Sequence, residues 1–345
     1  MISQELIGIA HSMMAPGKGL LAMDESTGTI GKRLDKVGLP NTVEYRQAYR
    51  ELIVTTPGIG DSLGGAIMYD ETVHQSTRNG VPFIEVLEKA GVIPGIKVDE
   101  STTQLAGFPG ERITQGLDTL RERLADYRRM RLRFAKWRSV ITIGKDIPSD
   151  GCIHANTQDL ARYAALCQEA DIVPIVEPEV IMDGDHDIDR CFSVTQSVLK
   201  SLFEQLADQR VDLRGLILKP NMVLPSLTSQ KQVGVDEAAS ATVTCLLSAV
   251  PVIVPGVAFL SGGQSPELAT ARLNAMHVLY GKLLPWALTF SFSRAIQDPV
   301  LDYWRGKEEN VKKAQKILYE RMLMNSLARK GEYSPEKEKE YAVVG

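Results

Sequence analysis

Three lysines of this sequence sit in apolar runs. Lys219 ends "GLILK" within "GLILKPNMV" (215–223), Lys97 lies in "PGIKVD", and Lys136 lies in "FAKWRSVITI". An ammonium group left in such a strand is costly unless it is paired or gives up its charge. Carboxylates recur in matching contexts, with Asp24 in "LLAMDES" and both Glu177 and Glu179 in "IVPIVEPE". Ammonium groups crowded into a dry pocket push one another's pKa down; burial acts in the same sense and a nearby carboxylate opposes both. A lysine that loses its proton near neutral pH attacks carbonyls and forms a Schiff base, the chemistry to which Lys219 is assigned. One such lysine would read as a snorkelling side chain or a structural ion pair. Three, with a matched set of acids, favour a reactive site.

Three further stretches suit anions, the first two at one site and the third at another. "FLSGGQS" (259–265) sets Ser261, Gly262 and a second glycine just before a helix, where backbone N–H groups can turn towards a phosphate. "SFSRAIQD" (291–298) brings Arg294, a guanidinium suited to bidentate phosphate contact. "DESTGTIGKR" (24–33) supplies Ser26, Thr29, Lys32 and Arg33 for a second anion. "FLSGGQS" or "DESTGTIGKR" alone is equally well an ordinary Gly-rich turn and helix cap. Two anion sites flanking a carbonyl-reactive lysine imply a bisphosphorylated carbonyl substrate.

These residues need a scaffold that brings distant segments together. Short apolar runs recur at 19–23, 65–69, 95–98, 134–143, 172–179, 215–219, 250–257 and 288–293. Amphipathic stretches lie between and after them, at 42–54, 82–90, 112–131, 157–170, 187–208, 235–249, 265–281 and 308–329. The runs are apolar throughout instead of alternating, as parallel strands covered on their outer face are. Eight such strands predict an α/β fold of the (β/α)8 TIM-barrel type, in which charged residues late in the strands gather at the C-terminal mouth. Lys97, Lys136, Glu177 and Lys219 are spaced by 39, 41 and 42 residues, about one βα unit each. Lys136 and Lys219 should therefore stand level, with Glu177 between them; alternation pairs Lys136 with Arg138 and Glu177 with Glu179 on one face. An open nucleotide-binding sheet is disfavoured, because "GIGDSLGG" is not G-x-G-x-x-G and "GKG" is not a Walker A loop.

Composition fits one globular domain over 1–333, whose first residues lack the basic n-region and cleavage site of a signal peptide and read as a short amphipathic helix, with a charged, flexible tail over 334–345. The 345 residues carry a net charge of −4, which gives no basic excess for nucleic acid or a membrane surface. Cys152, Cys167, Cys191 and Cys245 lack C-x-x-C spacing and read as buried thiols of a reducing, cytoplasmic compartment. No apolar run is long enough to span a membrane.

At this point the residues resemble a known family, class I fructose-bisphosphate aldolase. The resemblance rests on "LAMDESTGTIGKR", "GIKVD", "FAKWR", "IVPIVEPE", "DGDHD", "LKPNMV", "FLSGGQS" and "PWALTFSFSRA", in order, from residue 3 to about 333. It implies reversible cleavage of fructose 1,6-bisphosphate to dihydroxyacetone phosphate and glyceraldehyde 3-phosphate, with no metal or organic cofactor and a homotetrameric assembly. Lys219 would form the iminium at the substrate C2. Asp24 would act at the C4 hydroxyl, Glu177 and Lys136 would move protons during carbinolamine formation and dehydration, and Glu179 would be their hydrogen-bonding neighbour. Ser261, Gly262 and Arg294 would hold the C1 phosphate. Ser26, Thr29, Arg33 and Lys97 would surround the other end, and Arg138 would line the cavity.

Three positions depart from that pattern. Ser293 stands where many relatives are expected to have glycine, Thr29 replaces a serine, and "YAVVG" places Tyr341 four residues before the end where a terminal tyrosine would assist proton exchange on the enamine. Other chemistries fit less well. A metal route needs clustered ligands, yet His11, His74, His154, His186 and His277 are scattered. "DGDHDIDR" (183–190) looks calcium-like, but Ile188 falls where a turn glycine or ligand is needed, so a helix cap is expected. A glycosidase would need opposed carboxylates on different strands. A non-catalytic scaffold on the same barrel would not need the full set of Lys, Glu and Asp.

Overall fold

The computed structural model describes residues 2–343, with only the backbone for 341–343. Eight parallel strands, Gly19–Met23 (β1), Leu63–Met68 (β2), Ile93–Lys97 (β3), Phe134–Ile141 (β4), Val173–Val180 (β5), Ile217–Leu218 (β6), Gly256–Phe259 (β7) and Ala287–Phe292 (β8), pair in sequence order, and β8 closes on β1. The outer ring is formed by Val43–Val54, Phe83–Lys89, Leu120–Arg129, Asp150–Glu169, Ile188–Asp208, Val235–Ala249, Pro266–Tyr280 and Val311–Ala328. Thr27–Lys36 and Arg294–Trp304 are additional helices directly after β1 and β8.

The barrel holds two apolar layers. Outward-facing strand residues such as Leu21, Trp137, Val176, Leu218 and Val257 pack under the helices. Each side chain of this size contributes roughly 1.5–3 kcal/mol when fully buried. Inside, Leu20, Ala22, Ile67, Phe134, Val173, Ile175, Ile217 and Ala258 fill the barrel. Leu6, Ala10 and Met13, from the N-terminal helix Gln4–Met13, pack onto that cluster. Phe134 fits because β3 offers it a glycine: a Cβ on Gly95 would lie 2.3 Å from the ring.

Two expectations change, and the segment after 333 carries a helix. The strand expected at 250–257 runs Gly256–Phe259 instead, because Pro251 and Pro255 cannot donate to a ladder and their carbonyls accept from Trp286 and Ala287. The helix expected at 112–131 begins only at Leu120; Arg112–Gln115 pairs antiparallel with Ser101–Gln104. The adjacent β-branched residues Thr102 and Thr103, and Ile113 and Thr114, favour that hairpin, and Gly116 at φ 118° separates it from the helix. The stretch expected to be a flexible tail from 334 carries a helix, Pro335–Val343, where Glu338 accepts from Tyr333 Oη at 2.5 Å and pairs with Arg321. The Tyr341 side chain and the final residues 344–345 lie outside the described part.

Candidate active site

Alternation along each strand turns the barrel interior from apolar to charged. On β4 the inward series is Phe134, Lys136, Arg138; on β5 it is Val173, Ile175, Glu177, Glu179; on β6 it is Ile217 followed by Lys219. β1 leads into Asp24 after Leu20 and Ala22, and β3 ends in Lys97, in register with Lys136. The charged residues therefore share the C-terminal mouth, above the Phe134 layer.

There they form a continuous chain. Lys219 Nζ is 3.1 Å from Glu177 Oε1, and Lys136 Nζ is 3.1 Å from Glu177 Oε2. Lys136 Nζ also lies 2.7 Å from Asp24 Oδ2 and 3.9 Å from Asp99 Oδ2. Lys97 pairs with Asp99 Oδ1 at 2.6 Å. Three ammonium groups thus meet three carboxylates, and Asp24, Glu177, Lys136 and Lys219 are all buried. Beside them, Arg138 pairs with Glu179.

Burial would raise the Asp24 carboxyl, but Lys136 and then Lys219 outweigh it and hold the group well below the usual carboxylate range. Glu177 is lowered in the same way, against burial, by Lys136 and Lys219. Burial would strip the proton from Lys136, yet Asp24, Glu177 and Asp99 together raise its pKa. The crowding of ammonium groups that the sequence suggests is therefore overcome at Lys136 by its three acids. This site keeps Asp24 ionised beside a charged ammonium group.

On one side of this chain, Gly262 and Gly263 take left-handed conformations at φ 58° and 84°. These left-handed conformations favour glycine, and the Arg294 guanidinium lies in van der Waals range of the position a Cβ on Gly263 would take, 3.4 Å from Nη2. On the other side, Ser26 caps Thr27–Lys36, accepting from Thr29 N, and its Oγ is 3.1 Å from Thr29 Oγ1. Arg33 lies on the same helix and donates to Glu25 at 2.5 Å and to Ser293 Oγ at 3.0 Å.

The mouth encloses a cavity of about 400 Å³. The residues singled out from sequence line it: Asp24, Ser26, Thr29, Lys32, Arg33, Lys97, Lys136, Arg138, Glu177, Glu179, Lys219, Ser261, Gly262 and Arg294. A larger cavity of about 640 Å³ adjoins it and shares Ser26, Thr29, Lys97 and Arg138.

Sequence reasoning missed several members. Asp99 could have been found from strand alternation, since it lies two residues after Lys97 on the same face. Arg50 and Gln297 carry no local signal, and although Glu25 stands among the charges that end the first strand, its relation to them is purely spatial. Glu25 Oε2 is 2.5 Å from Arg50, and Gln297 Nε2 donates to Glu25 Oε1 at 2.7 Å. Burial would raise Glu25, and Arg50 and Arg33 bring it down to about 2. Ser293 joins this group by donating to Glu25 Oε1 at 2.8 Å. The hydroxyl at this departing position is thus built into the Arg33 clamp. In "DGDHDIDR", Asp187 caps the next helix through a 2.9 Å bond from Arg190 N, as the cap reading expects. Among the described residues, no group of three or more His, Cys, Asp or Glu side chains is arranged to hold a metal ion.

Comparison with known proteins gives a consistent family. The family model "Fructose-bisphosphate aldolase class-I" matches residues 5–344. A probable fructose-bisphosphate aldolase class 1 from Xanthomonas campestris pv. campestris is 54% identical over 331 residues, covering 96% of this chain and 98% of the relative. Fructose-bisphosphate aldolase 6, cytosolic, from Arabidopsis thaliana is 51% identical, covering 96% and 92%. Among solved structures, Plasmodium falciparum fructose-bisphosphate aldolase, in complex with TRAP and a small-molecule inhibitor, superposes with a TM-score of 0.94 at 45% identity, covering 96% of this chain and 95% of that one.

Proposed function

The chain belongs to the class I fructose-bisphosphate aldolase family, and from that premise we propose that Lys219 is its Schiff-base lysine, served by Glu177, Lys136 and Asp24. Enzymes of this family cleave fructose 1,6-bisphosphate reversibly through a lysine Schiff base. Lys219 attacks the C2 carbonyl after passing a proton to Glu177, the nearest acceptor at 3.1 Å. The resulting carbinolamine loses water, its hydroxyl protonated from the Glu177–Lys136 pair, and leaves a protonated iminium. Asp24 then takes the C4 hydroxyl proton. The C3–C4 bond breaks, its electron pair flows to the iminium nitrogen, and glyceraldehyde 3-phosphate leaves an enamine. Protonation at C3 and hydrolysis release dihydroxyacetone phosphate and restore Lys219.

The observation that carries this reading is the Lys219–Glu177–Lys136–Asp24 chain. One carboxylate serves two lysines, and the second lysine keeps Asp24 ionised. Glu179 holds Arg138 beside this chain. Ser261, Gly262 and Arg294 take the C1 phosphate, while Ser26, Thr29, Arg33 and Lys97 take the other end. The steps need only these side chains and water.

A homotetramer suits exposed apolar residues at and just after the C-terminal ends of two neighbouring helices: Leu247, Val252 and Ile253 on one side, Val278, Leu279 and Leu283 on the other. A cytoplasmic location accords with the word cytosolic in the names of the Arabidopsis relatives and with the four free, buried cysteines. No described helix is long and apolar enough to cross a membrane.

The test is borohydride reduction in the presence of dihydroxyacetone phosphate, read by peptide mass spectrometry, with cleavage assayed in parallel in EDTA. A reduced adduct on Lys219 and chelator-insensitive cleavage are expected. Folded protein that forms no adduct at Lys219 would remove that assignment, and an EDTA-sensitive reaction would favour a metal route.

A further inference from the structure

Behind the phosphate turn lies a cation with no counter-charge. Arg272, on Pro266–Tyr280, is only 5% exposed, and its Nε is buried without a partner. Its Nη1 donates to Gln264 Oε1 at 2.8 Å, while no ion pair joins it to a carboxylate among the described residues. Burial alone lowers its pKa to about 10, and no acid opposes the shift. Other buried cations of this mouth are matched, Lys136 by Asp24 and Arg50 by Glu25. An unmatched one is unfavourable in the empty protein.

Gln264 connects this charge to the site. Because its Oε1 accepts from Arg272, its amide has one orientation, with Nε2 donating to the Ser261 carbonyl at 2.8 Å. The Gln264 backbone N donates to the same carbonyl at 3.1 Å. The trans peptide then directs the Gly262 N–H to the opposite side, away from Gln264, and Gly262 lines the cavity. Arg272 thus fixes the turn and adds positive potential behind it.

We propose that Arg272 is a positioning residue of the phosphate turn, whose missing counter-charge is the phosphate of the bound substrate. This rests on the assignment of Ser261, Gly262 and Arg294 to the C1 phosphate. Dihydroxyacetone phosphate carries only that phosphate, so it reports on this site alone; glyceraldehyde 3-phosphate reports on the other end.

The experiment compares Arg272→Met and Gln264→Glu with the parent enzyme. The first removes the charge, and the second gives the arginine a carboxylate partner. In the condensation direction, KM for dihydroxyacetone phosphate and Ki for inorganic phosphate should rise about 5- to 20-fold, with the KM for glyceraldehyde 3-phosphate moving less than about twofold. In thermal melts without ligand, the Tm of the variants should stay level or rise, and the gain in Tm with inorganic phosphate should shrink. An equal rise in both KM values would overturn the proposal. So would a folded variant whose phosphate Ki and phosphate-dependent Tm gain match the parent. If one variant does not fold, the other carries the same readouts. The Tm gain needs no turnover, so a parent enzyme without a Lys219 adduct would sink the nucleophile assignment and leave this result separately readable.

Discussion

Asp24 and Lys136 meet at 2.7 Å from strands that do not touch: β1 pairs with β2 and β8, and β4 pairs with β3 and β5. The pair therefore spans the barrel mouth, and each residue sets the charge state of the other. Asp24 stays ionised because of Lys136, and Lys136 stays protonated chiefly because of Asp24, both against burial. An ionised carboxylate is what deprotonation of the C4 hydroxyl requires.

Asp24→Asn should therefore separate the steps. The neutral amide cannot take a proton, so cleavage should fall by about 10²- to 10⁴-fold. Lys219 and Glu177 remain, so dihydroxyacetone phosphate and borohydride should still give the reduced adduct. Stopped assays and peptide mass spectrometry on one preparation check both halves. Loss of the adduct together with activity would mean that Asp24 acts earlier than the bond cleavage.

Lys136→Met should move the pH profile as well as the rate. Without the ammonium group, burial raises Asp24 and Glu177 with less opposition. Both are then ionised only at higher pH, so the acidic limb of kcat/KM should shift upward. Turnover at neutral pH should fall by roughly 10²-fold or more. The full pH–rate profile is the measurement, and an acidic limb that stays in place would contradict the coupling.

Much of this site was legible because strands impose a period of two and barrels impose a common end. Lys136 with Arg138, and Glu177 with Glu179, follow from alternation; the bridging of Lys136 and Lys219 by Glu177 follows from even spacing. What escaped the sequence depends on long-range geometry. Glu25 meets Arg50 and Gln297 across 25 and 272 positions, and nothing local marks any of them as partners. The hairpin of 101–115 was hidden for another reason. Its second strand is only four residues long, and the helix after it extends the same charged pattern backwards through "RITQ".

Ser293→Gly should loosen the Arg33 clamp. The hydroxyl accepts from Arg33 and donates to Glu25, so its loss leaves the guanidinium held by the carboxylate alone. A hydrogen bond involving a charged group contributes about 1.5–3 kcal/mol, part of which the remaining ion pair retains. KM for fructose 1,6-bisphosphate should rise a few-fold, with kcat and the borohydride adduct little changed. Steady-state kinetics checks this, and an unchanged KM would show that Arg33 is held adequately by Glu25.

Glu25 should also mark the acid limit of the fold. Its carboxyl lies at about 2 against an ordinary 4.5, so its folded pKa is depressed. A depressed carboxyl contributes stability that is present above the unfolded value and is lost as pH falls from about 4.5 through about 2. That shift corresponds to about 3 kcal/mol at neutral pH. Glu25→Gln should therefore lower stability at pH 7, since Arg50 and Arg33 lose a shared partner, and it should flatten the acid dependence across the same window. Urea unfolding at a series of pH values, for parent and variant, measures both effects. Parallel curves that differ only by a constant would mean that the Glu25 ion pairs do not govern acid stability.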